Sequence, residues 1–335
     1  MTAIRSALVS ALADGAVHSG ADLAHRLSCS RTAVWKHLHE LKSTGLQIDA
    51  QRGIGYRLRQ PLELLDETVI RGGLDRQARA ALGRLEIHDC IESTSERLRA
   101  LPAPATGRFD AVFAEYQAGG RGRRGRRWLS PFGSGLCVSI NRWFQVVPAG
   151  LSALSLAVGV GVCRVLRDTV SHRVALKWPN DIVAGAGKLG GLLVDVHGEA
   201  DGPLAIIVGL GLNFDVSARM SAELAGNGSL PPAGLRSLSP ASDVSRNRLA
   251  ARLLNEMHGV LTAFEHNGFE AFADEWRRYD WLADRVVTVR SGRRSLTGTA
   301  RGIDADGALL IDSGGTVKRL VAGEISLRPG RAGKI

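Results

Sequence analysis

One run of the chain alternates arginine with glycine: residues 120–128 read GRGRRGRRW. Guanidinium groups on a glycine-rich backbone can approach a ligand closely and form paired hydrogen bonds to phosphate oxygens. The spacing G-x-G-x-x-G of a dinucleotide-binding loop is also present, but Leu129-Ser130-Pro131 follows where that motif needs a helix. Because the run comes directly after a predicted strand at 111–116, we interpret it as a loop that handles a triphosphate or a developing pyrophosphate. A solvated basic run or a nucleic-acid patch is the alternative.

A second chemistry-bearing segment ends a predicted strand with a proline turn, Lys177-Trp178-Pro179-Asn180-Asp181, and Lys188 follows seven residues later. A carboxylate in the turn and a lysine at the edge of the next strand can face each other across one hairpin. Lys188 would then bind a substrate carboxylate, while Asp181 would orient an amine or a metal-bound phosphate. A surface ion pair of little energetic value is the alternative interpretation.

A third segment, residues 208–214 (VGLGLNF), places glycine at alternate positions of an apolar strand. Glycines at this spacing let a flat ligand lie against the backbone, or they mark a β-bulge. The chain has no Ser-His-Asp order, no HExxH and no Walker A run. Hydrolase and P-loop ATPase functions therefore have no support.

Composition limits the class of protein and of partner. The 335 residues are 44% hydrophobic, which is enough for two or three domains with their own cores. Lys and Arg number 43 against 33 Asp and Glu, and this excess predicts an anionic partner. Residues 1–60 hold eight Lys/Arg and four Asp/Glu, and Arg121–Arg127 adds five arginines. The basic balance thus divides into two local sources, one suited to DNA and one to a phosphorylated ligand.

The cysteines and the apolar segments indicate a compartment. Cys29, Cys90, Cys137 and Cys163 form no CxxC pair, which argues against a zinc site or a disulfide framework and favours a reducing cytosol. No signal-peptide pattern opens the sequence. The uncharged stretch 143–163 is interrupted by proline and glycine, so it predicts a buried helix rather than a membrane span. We expect a cytoplasmic protein without a membrane partner.

The first sixty residues predict a small, self-contained unit. Apolar spacing indicates two helices before a third at 31–42, for which Ser30 is the N-cap, and β runs at 46–50 and 55–58 indicate a wing. Two helices joined by a short turn, the second exposing basic and hydrogen-bonding groups, are typical of helix-turn-helix DNA binding. A protein-interaction module is the alternative. The side chains expected to contact DNA are Ser19, Ser30, Arg31, Thr32, Trp35, Lys36, His39 and Arg52.

The rest of the chain mixes strands with few helices. Pro61 opens a linker, and the pattern over 62–74 predicts a helix that leads into a larger domain. Strands are predicted at 85–88, 111–116, 136–140, 174–178, 191–196 and 205–210, and helices at 151–168 and 248–267. This clustering favours an α+β layer over a doubly wound sheet. A Gly-, Ser- and Pro-rich stretch at 215–243 is either a ligand-covering loop or an inert excursion, and 285–328 predicts five short strands of a small β-barrel.

These motifs resemble those of the bifunctional biotin–protein ligases that also act as biotin operon repressors. The resemblance runs nearly end to end, through Glu92-Ser93-Thr94-Ser95, Glu115-Tyr116-Gln117, the arginine loop, KWPND, KLGGLL, GLGLNF and the segment Gly323–Arg328. It implies an α+β protein with four parts: a winged helix-turn-helix DNA-binding domain (1–60), a linker with a helix (61–83), a mixed α/β biotin ligase domain of class II aminoacyl-tRNA synthetase-like fold (84–283) and an SH3-like β-barrel (284–335).

The resemblance also implies a reaction. ATP and Mg²⁺ would convert biotin to biotinoyl-AMP with loss of pyrophosphate, and the acyl group would pass to one lysine of the biotin carboxyl carrier protein of acetyl-CoA carboxylase. Biotin contacts are expected from Ser93, Thr94, Ser95, Gln117, Arg121, Gly122, Arg123 and Lys188. ATP or adenylate contacts are expected from Arg121, Arg123, Arg124, Trp128, Asn180, Lys188, Gly209, Gly211, Asn213 and Arg328. The catalytic set would be Arg123, Lys188, Asp181 and Lys177, with no dedicated protein cage for Mg²⁺, which would bind together with ATP.

In a family member of this kind the adenylate would be a corepressor, and a homodimer would bind operator DNA of biotin genes. A ligand sensor without ligase activity and a ligase for lipoate or octanoate are the alternatives. Three positions depart from the family pattern: Ser95 stands where Asn is frequent, Ala118-Gly119 replaces a bulkier stretch, and 215–243 lacks a tryptophan that covers adenine. We expect Leu235 or Leu238 to pack against the adenine instead.

Overall fold

The computed structural model describes residues 3–198, 203–224, 230–239, 244–291, 294–321 and 326–329. Within these ranges the strands form three sheets, of two, seven and five strands. The large sheet and the helices packed on it share one apolar core with the five-stranded sheet, whereas the N-terminal unit packs in a second core, which Phe132 from the loop before β5 also joins.

The N-terminal unit contains three helices and a hairpin: α1 (Ala3–Leu12), α2 (Gly20–Arg26), α3 (Arg31–Ser43), β1 (Ile48–Gln51) and β2 (Gly55–Leu58). Leu8, Val34 and Leu38 pack inward at helical spacing. The hydroxyls of Ser19 and Ser30 cap α2 and α3 by accepting hydrogen bonds from the third N–H beyond them. The predicted helix-turn-helix and wing are confirmed.

The helix predicted over 62–74 is wrong for its first half. Helix α4 covers only Glu67–Gly72, a short helix α5 (Arg76–Ala81) follows it, and residues 61–66 form no helix. The backbone N–H of Leu65 instead donates to the Glu115 carboxylate at 2.6 Å, in the next domain. Such a long-range acceptor satisfies the backbone group that a helix would have satisfied locally.

The seven-stranded sheet carries the elements that build the candidate site. Its strands are β3 (Leu82–Ile91), β4 (Phe109–Gln117), β5 (Gly135–Phe144), β6 (Val174–Lys177), β7 (Asp181–Ala184), β8 (Gly187–Gly198) and β9 (Leu204–Asn213). They lie in the order β3-β4-β5-β9-β8-β7-β6, and only β3 and β4 are parallel. The predicted α+β class is confirmed, although the pattern missed β7 and shortened β8.

Helices cover and connect this sheet: α6 (Thr94–Ala100), α7 (Leu154–Thr169), α8 (Ala218–Leu224), α9 (Leu235–Leu238), α10 (Arg246–Asn267) and α11 (Glu270–Tyr279). The uncharged stretch 143–163 ends β5 and, from Leu154 onward, forms the first part of α7, in which Leu156 to Cys163 are all buried; the predicted buried helix is confirmed for that part. No helix in the described part of the chain is long and apolar enough to cross a membrane.

A buried ion pair fixes the linker to the domain of the seven-stranded sheet. Arg246, at the start of α10, donates to the Glu115 carboxylate at 2.7 Å and to the Gly135 carbonyl at 2.8 Å. It also donates to the carbonyl of Glu63 in the linker. Both charged side chains are 2% exposed or less. A buried charge that lost its partner would be costly, so this pair holds the linker in one position.

The C-terminal sheet contains the five predicted strands: β10 (Val286–Ser291), β11 (Arg294–Ile303), β12 (Leu309–Ser313), β13 (Thr316–Leu320) and β14 (Ser326–Pro329). All neighbours in the order β13-β12-β11-β10-β14 are antiparallel. The turn between β11 and β12 packs on the domain of the seven-stranded sheet, where the Trp178 indole N–H donates to the Gly307 carbonyl at 2.9 Å. The KWPND segment is therefore in contact with a turn of the C-terminal sheet.

Candidate active site

A cavity of about 690 Å³ lies against the large sheet. Its walls come from the N-terminus of α6, the arginine loop after β4, the turn before β7, the glycine-rich strands β8 and β9, and four apolar residues in or after α8: Met220, Leu224, Leu230 and Pro232. This volume suits a small-molecule site. Motifs that are far apart in the sequence thus line one space.

One side of the cavity is a network of short polar side chains. The Thr94 backbone N–H and hydroxyl both donate to Oε1 of Gln117, at 2.8 and 3.1 Å. Ser139, on β5, places its hydroxyl 2.7 Å from that of Thr94 and 2.9 Å from that of Ser95. Ser93, the N-cap of α6, is buried beside them. Four predicted biotin-contact residues therefore lie together, fixed by a serine that the sequence reasoning missed, although a lone hydroxyl in an apolar strand was a signal.

The arginine loop folds back on itself at the mouth of the cavity. The Gly122 N–H donates to the Arg126 carbonyl at 2.7 Å, and Arg124 has a positive φ of 60° at the turn. Arg123 is partly buried, whereas Arg121, Arg124, Arg126 and Arg127 are exposed. Burial and the neighbouring charge of Arg124 lower the pKa of Arg123. A guanidinium stays protonated even so, and the loop concentrates positive charge where a phosphate would lie.

The flat group that lies against the glycine-rich strand is the protein's own Trp128. A methyl group at Gly211 would lie 2.7 Å from Nε1 and Cζ2 of that indole, so only glycine admits the ring. Strand β9 pairs with β5 and β8 without a register shift, so the bulge interpretation is wrong. Gly209 faces the hydroxyls of Ser95 and Ser139 in the same way.

Opposite the loop, Asp181 bridges two lysines. Its Oδ1 lies 2.5 Å from Nζ of Lys188, and its Oδ2 lies 3.1 Å from Nζ of Lys177. Burial alone would raise the pKa of Asp181, but the charges of Lys188 and Lys177 outweigh it and lower that pKa. The predicted approach of Asp181 and Lys188 is confirmed, with Asp181 at the first position of β7 instead of in the turn. The ammonium of Lys188 also lies 5.8 Å from the Trp128 ring centre.

The two asparagines of the predicted adenylate site also line the cavity, and each makes an internal hydrogen bond. Asn180 donates to the Leu192 carbonyl at 2.6 Å, and Asn213 donates to the Lys188 carbonyl at 3.3 Å. They therefore hold strand β8, which carries Lys188.

The apolar wall differs from the prediction. Leu235 is fully buried in the main core, and Leu238 packs against that core. The apolar side chains that line the cavity from this region are Met220, Leu224, Leu230 and Pro232. Leu235 and Leu238 therefore do not line the cavity, and the expectation that one of them packs against the adenine stays a prediction without support from this geometry. The side chain of Arg328 lies outside the described residues, so its role stays a prediction.

A separate exposed face belongs to α3 and the wing. Arg31, Thr32, Lys36 and His39 point outward, and Trp35 is 58% exposed with its ring stacked on that of His39 at 5.7 Å between centres. Arg52 is exposed at the tip of the wing. Basic and aromatic groups on the second helix of a helix-turn-helix suit a DNA groove.

Known protein families match this architecture part by part. Residues 88–213 match the biotin/lipoate A/B protein ligase family, residues 5–57 match an HTH domain, and residues 284–328 match the biotin protein ligase C-terminal domain. The fold and the cavity thus define the class of the protein, a ligase of the biotin/lipoate type with an attached helix-turn-helix.

Individual relatives narrow this class. A bifunctional ligase/repressor BirA of Salmonella typhimurium is 36% identical over 98% of both chains. A biotin–[acetyl-CoA-carboxylase] ligase of Mycobacterium tuberculosis is 31% identical over 80% of this chain and 97% of that protein. The biotin protein ligase from Aquifex aeolicus in complex with biotin and ATP has a TM-score of 0.59 at 26% identity and covers 74% of this chain and 99% of its own. The chain belongs to the family of bifunctional biotin ligase/repressors.

Proposed function

We propose that the protein is an ATP-dependent biotin–protein ligase that also represses transcription of biotin genes. The observation that carries this proposal is the joining, in one cavity, of a short polar network, an arginine loop and an Asp181–lysine cluster. The name of the Salmonella relative and the biotin and ATP of the Aquifex structure support it.

In the first step, biotin lies with its polar ring against Ser93, Thr94 and Gln117, and Lys188 holds its carboxylate. A carboxylate oxygen attacks the α-phosphorus of ATP, the bond to the β-phosphate oxygen breaks, and pyrophosphate leaves. Arg121 and Arg123 stabilise the negative charge that gathers on the phosphate, so no protein nucleophile is needed.

Mg²⁺ would neutralise phosphate charge in this step. The described residues contain no group of three or more His, Cys, Asp or Glu side chains that could hold a metal. We propose that Mg²⁺ binds together with ATP, because this ion commonly takes phosphate oxygens and one or two carboxylates as ligands.

In the second step, a neutral lysine amine of the carrier protein attacks the acyl carbonyl of biotinoyl-AMP. An amide bond forms, the acyl–phosphate bond breaks, and AMP leaves. Asp181 is the candidate group to orient the amine, because its lowered pKa keeps it ionised and able to accept a hydrogen bond at neutral pH.

The repressor function belongs to the exposed face of α3 and the wing. We propose that the protein acts in the cytoplasm, that biotinoyl-AMP is the corepressor, and that a homodimer is the form that binds operator DNA. The outward Arg31, Lys36 and Arg52 supply the phosphate contacts such a complex needs.

Labelled biotin, ATP and an apo carrier domain test the ligase function. We expect pyrophosphate release and label on a single carrier lysine. Binding of biotin without transfer would indicate a sensor, and loss of label to competing lipoate would indicate a different acyl ligase.

A gel shift tests the repressor function separately. Binding to DNA from upstream of biotin genes should strengthen when biotin and ATP are added together. Indifference to both would contradict the repressor function and leave the ligase function intact.

A further inference from the structure

The mouth of the cavity holds a carboxylate that none of the proposed steps uses. Glu96, on α6, places Oε1 3.1 Å from Nη1 of Arg121, the first arginine of the loop. Its Oε2 lies 2.7 Å from Nη1 of Arg99. Arg99 in turn pairs with Asp195 on β8 at 2.8 Å. A chain of alternating charges therefore ties the arginine loop to the wall of the cavity.

Glu96 occupies a position at the start of α6 where a glutamate usually makes a different contact. Glu96 stands three residues after the N-cap Ser93, whose hydroxyl accepts the Glu96 N–H. At that position a glutamate commonly turns back to the N–H of the N-cap residue. Here the carboxylate points to the two arginines instead. One short helix thus presents the hydroxyls of Thr94 and Ser95 to the polar network and a carboxylate to the loop.

The ion pair of Glu96 and Arg121 contributes little to the free energy of folding. The side chains are 39% and 66% exposed, and exposed ion pairs contribute little to stability. The guanidinium of Arg99, assisted by that of Arg121, lowers the pKa of Glu96, so the carboxylate stays charged at neutral pH. The effect of the pair is to restrict where the Arg121 guanidinium lies.

We propose that Glu96 is a positioning residue for the arginine loop: it holds Arg121 at the mouth of the cavity, so that the loop closes on the ligand from a restricted set of positions. The identity of the ligand rests on the proposed function. Without the carboxylate, the ligand-free loop should occupy more conformations. Closing the loop would then cost more conformational entropy, which should weaken ligand binding. The expected change is about two- to fivefold, the range typical of exposed ion pairs.

Trypsin measures the mobility of the arginine loop directly, because it cleaves after arginine and cuts mobile segments faster. We expect Glu96→Gln to be cut within residues 121–127 two- to fivefold faster than the unchanged protein when both are free of ligand, with Glu96→Asp in between. Glu67→Gln is the matched control, since it removes an exposed helical glutamate paired with Arg71, far along the chain from the loop. It should be cut at the unchanged rate.

Steady-state kinetics of pyrophosphate release then distinguish a positioning role of Glu96 from a general effect on the structure. Glu96→Gln should raise the KM for biotin by about the same factor as the trypsin cleavage rate, and it should change kcat by a smaller factor. Equal cleavage rates, or faster cleavage with an unchanged KM, would overturn the proposal. A protein that releases no pyrophosphate in any form would refute the ligase function, while the cleavage comparison would still decide the role of Glu96.

Discussion

Replacement of Gly211 by alanine gives the sharpest test of how the cavity is built. The added methyl would lie 2.7 Å from two atoms of the Trp128 indole. Ordinary contacts between carbon atoms are about 3.5–4.0 Å, so one partner must move by about 1 Å. Strand β9 is paired on both sides and cannot move, so the displacement falls on the ring. That ring packs beside Lys188, which we expect to hold the substrate carboxylate.

A misplacement of about 1 Å near a reacting group can cost about 100-fold in rate. We therefore expect Gly211→Ala to lower kcat/KM for pyrophosphate release by about 100-fold, which corresponds to about 3 kcal/mol in the barrier. Overpacking should also lower the free energy of unfolding by about 1–3 kcal/mol. Gly259→Ala, on α10 and outside the cavity lining, is the matched control, because no atom lies within 4 Å of its added methyl. Its loss should be less than tenfold.

A second substitution tests whether a steric clash with Trp128 causes the loss of activity in Gly211→Ala. Trp128→Ala removes the whole indole that the new methyl would meet. The activity lost in the double variant Gly211→Ala with Trp128→Ala should therefore be smaller than the two single losses combined. Unchanged kcat/KM in Gly211→Ala, or strict additivity in the double variant, would refute the reasoning.

Four further predictions follow from other contacts. Lys188→Ala should slow pyrophosphate release by about 10²–10³-fold, because it removes a cation preorganised for the reacting carboxylate, and normal release would contradict that role. Arg123→Gly should release the adenylate at least about tenfold faster and biotinylate nearby lysines indiscriminately, since a charged hydrogen bond on the anion is lost; unchanged adenylate dissociation would exclude this. Arg246→Met should lower the free energy of unfolding in urea by about 3–5 kcal/mol, because it leaves Glu115 charged and buried, and a loss below about 1 kcal/mol would argue against it. Burial raises the pKa of Asp280 to about 6, and its Oδ2 has no hydrogen-bond partner in the described part of the chain. Its protonated form is thus favoured by folding, and stability is lost as pH rises through 6. Asp280→Asn should remove most of that loss, about 2 kcal/mol between pH 4 and pH 8, and parallel pH–stability curves for the two proteins would disprove it.

Much of the architecture was readable from local patterns. Helical spacing and serine caps predicted the helix-turn-helix, and alternation with tight turns predicted the five C-terminal strands. The arginine loop, KWPND and the alternating glycines were recognisable because each is a short run whose residue types suit one chemistry. The failures were also local: the apolar spacing over 62–74 indicated a helix, and the distant Glu115 supplied a better acceptor for the Leu65 N–H.

Local patterns in the chain define the three kinds of structural unit and the set of polar and cationic groups available for chemistry. Which of these groups meet depends on the folded arrangement: Ser139 lies beside Thr94 and Ser95, Trp128 against Gly211, and Glu96 opposite Arg121. It also replaced Leu235 by residues of α8 and of segment 230–232 at the apolar wall. The physical reason is that propensities and periodicity act over a few residues, whereas these contacts join residues 25 to 83 positions apart. Such contacts are set by strand order and by how closely two backbones can approach.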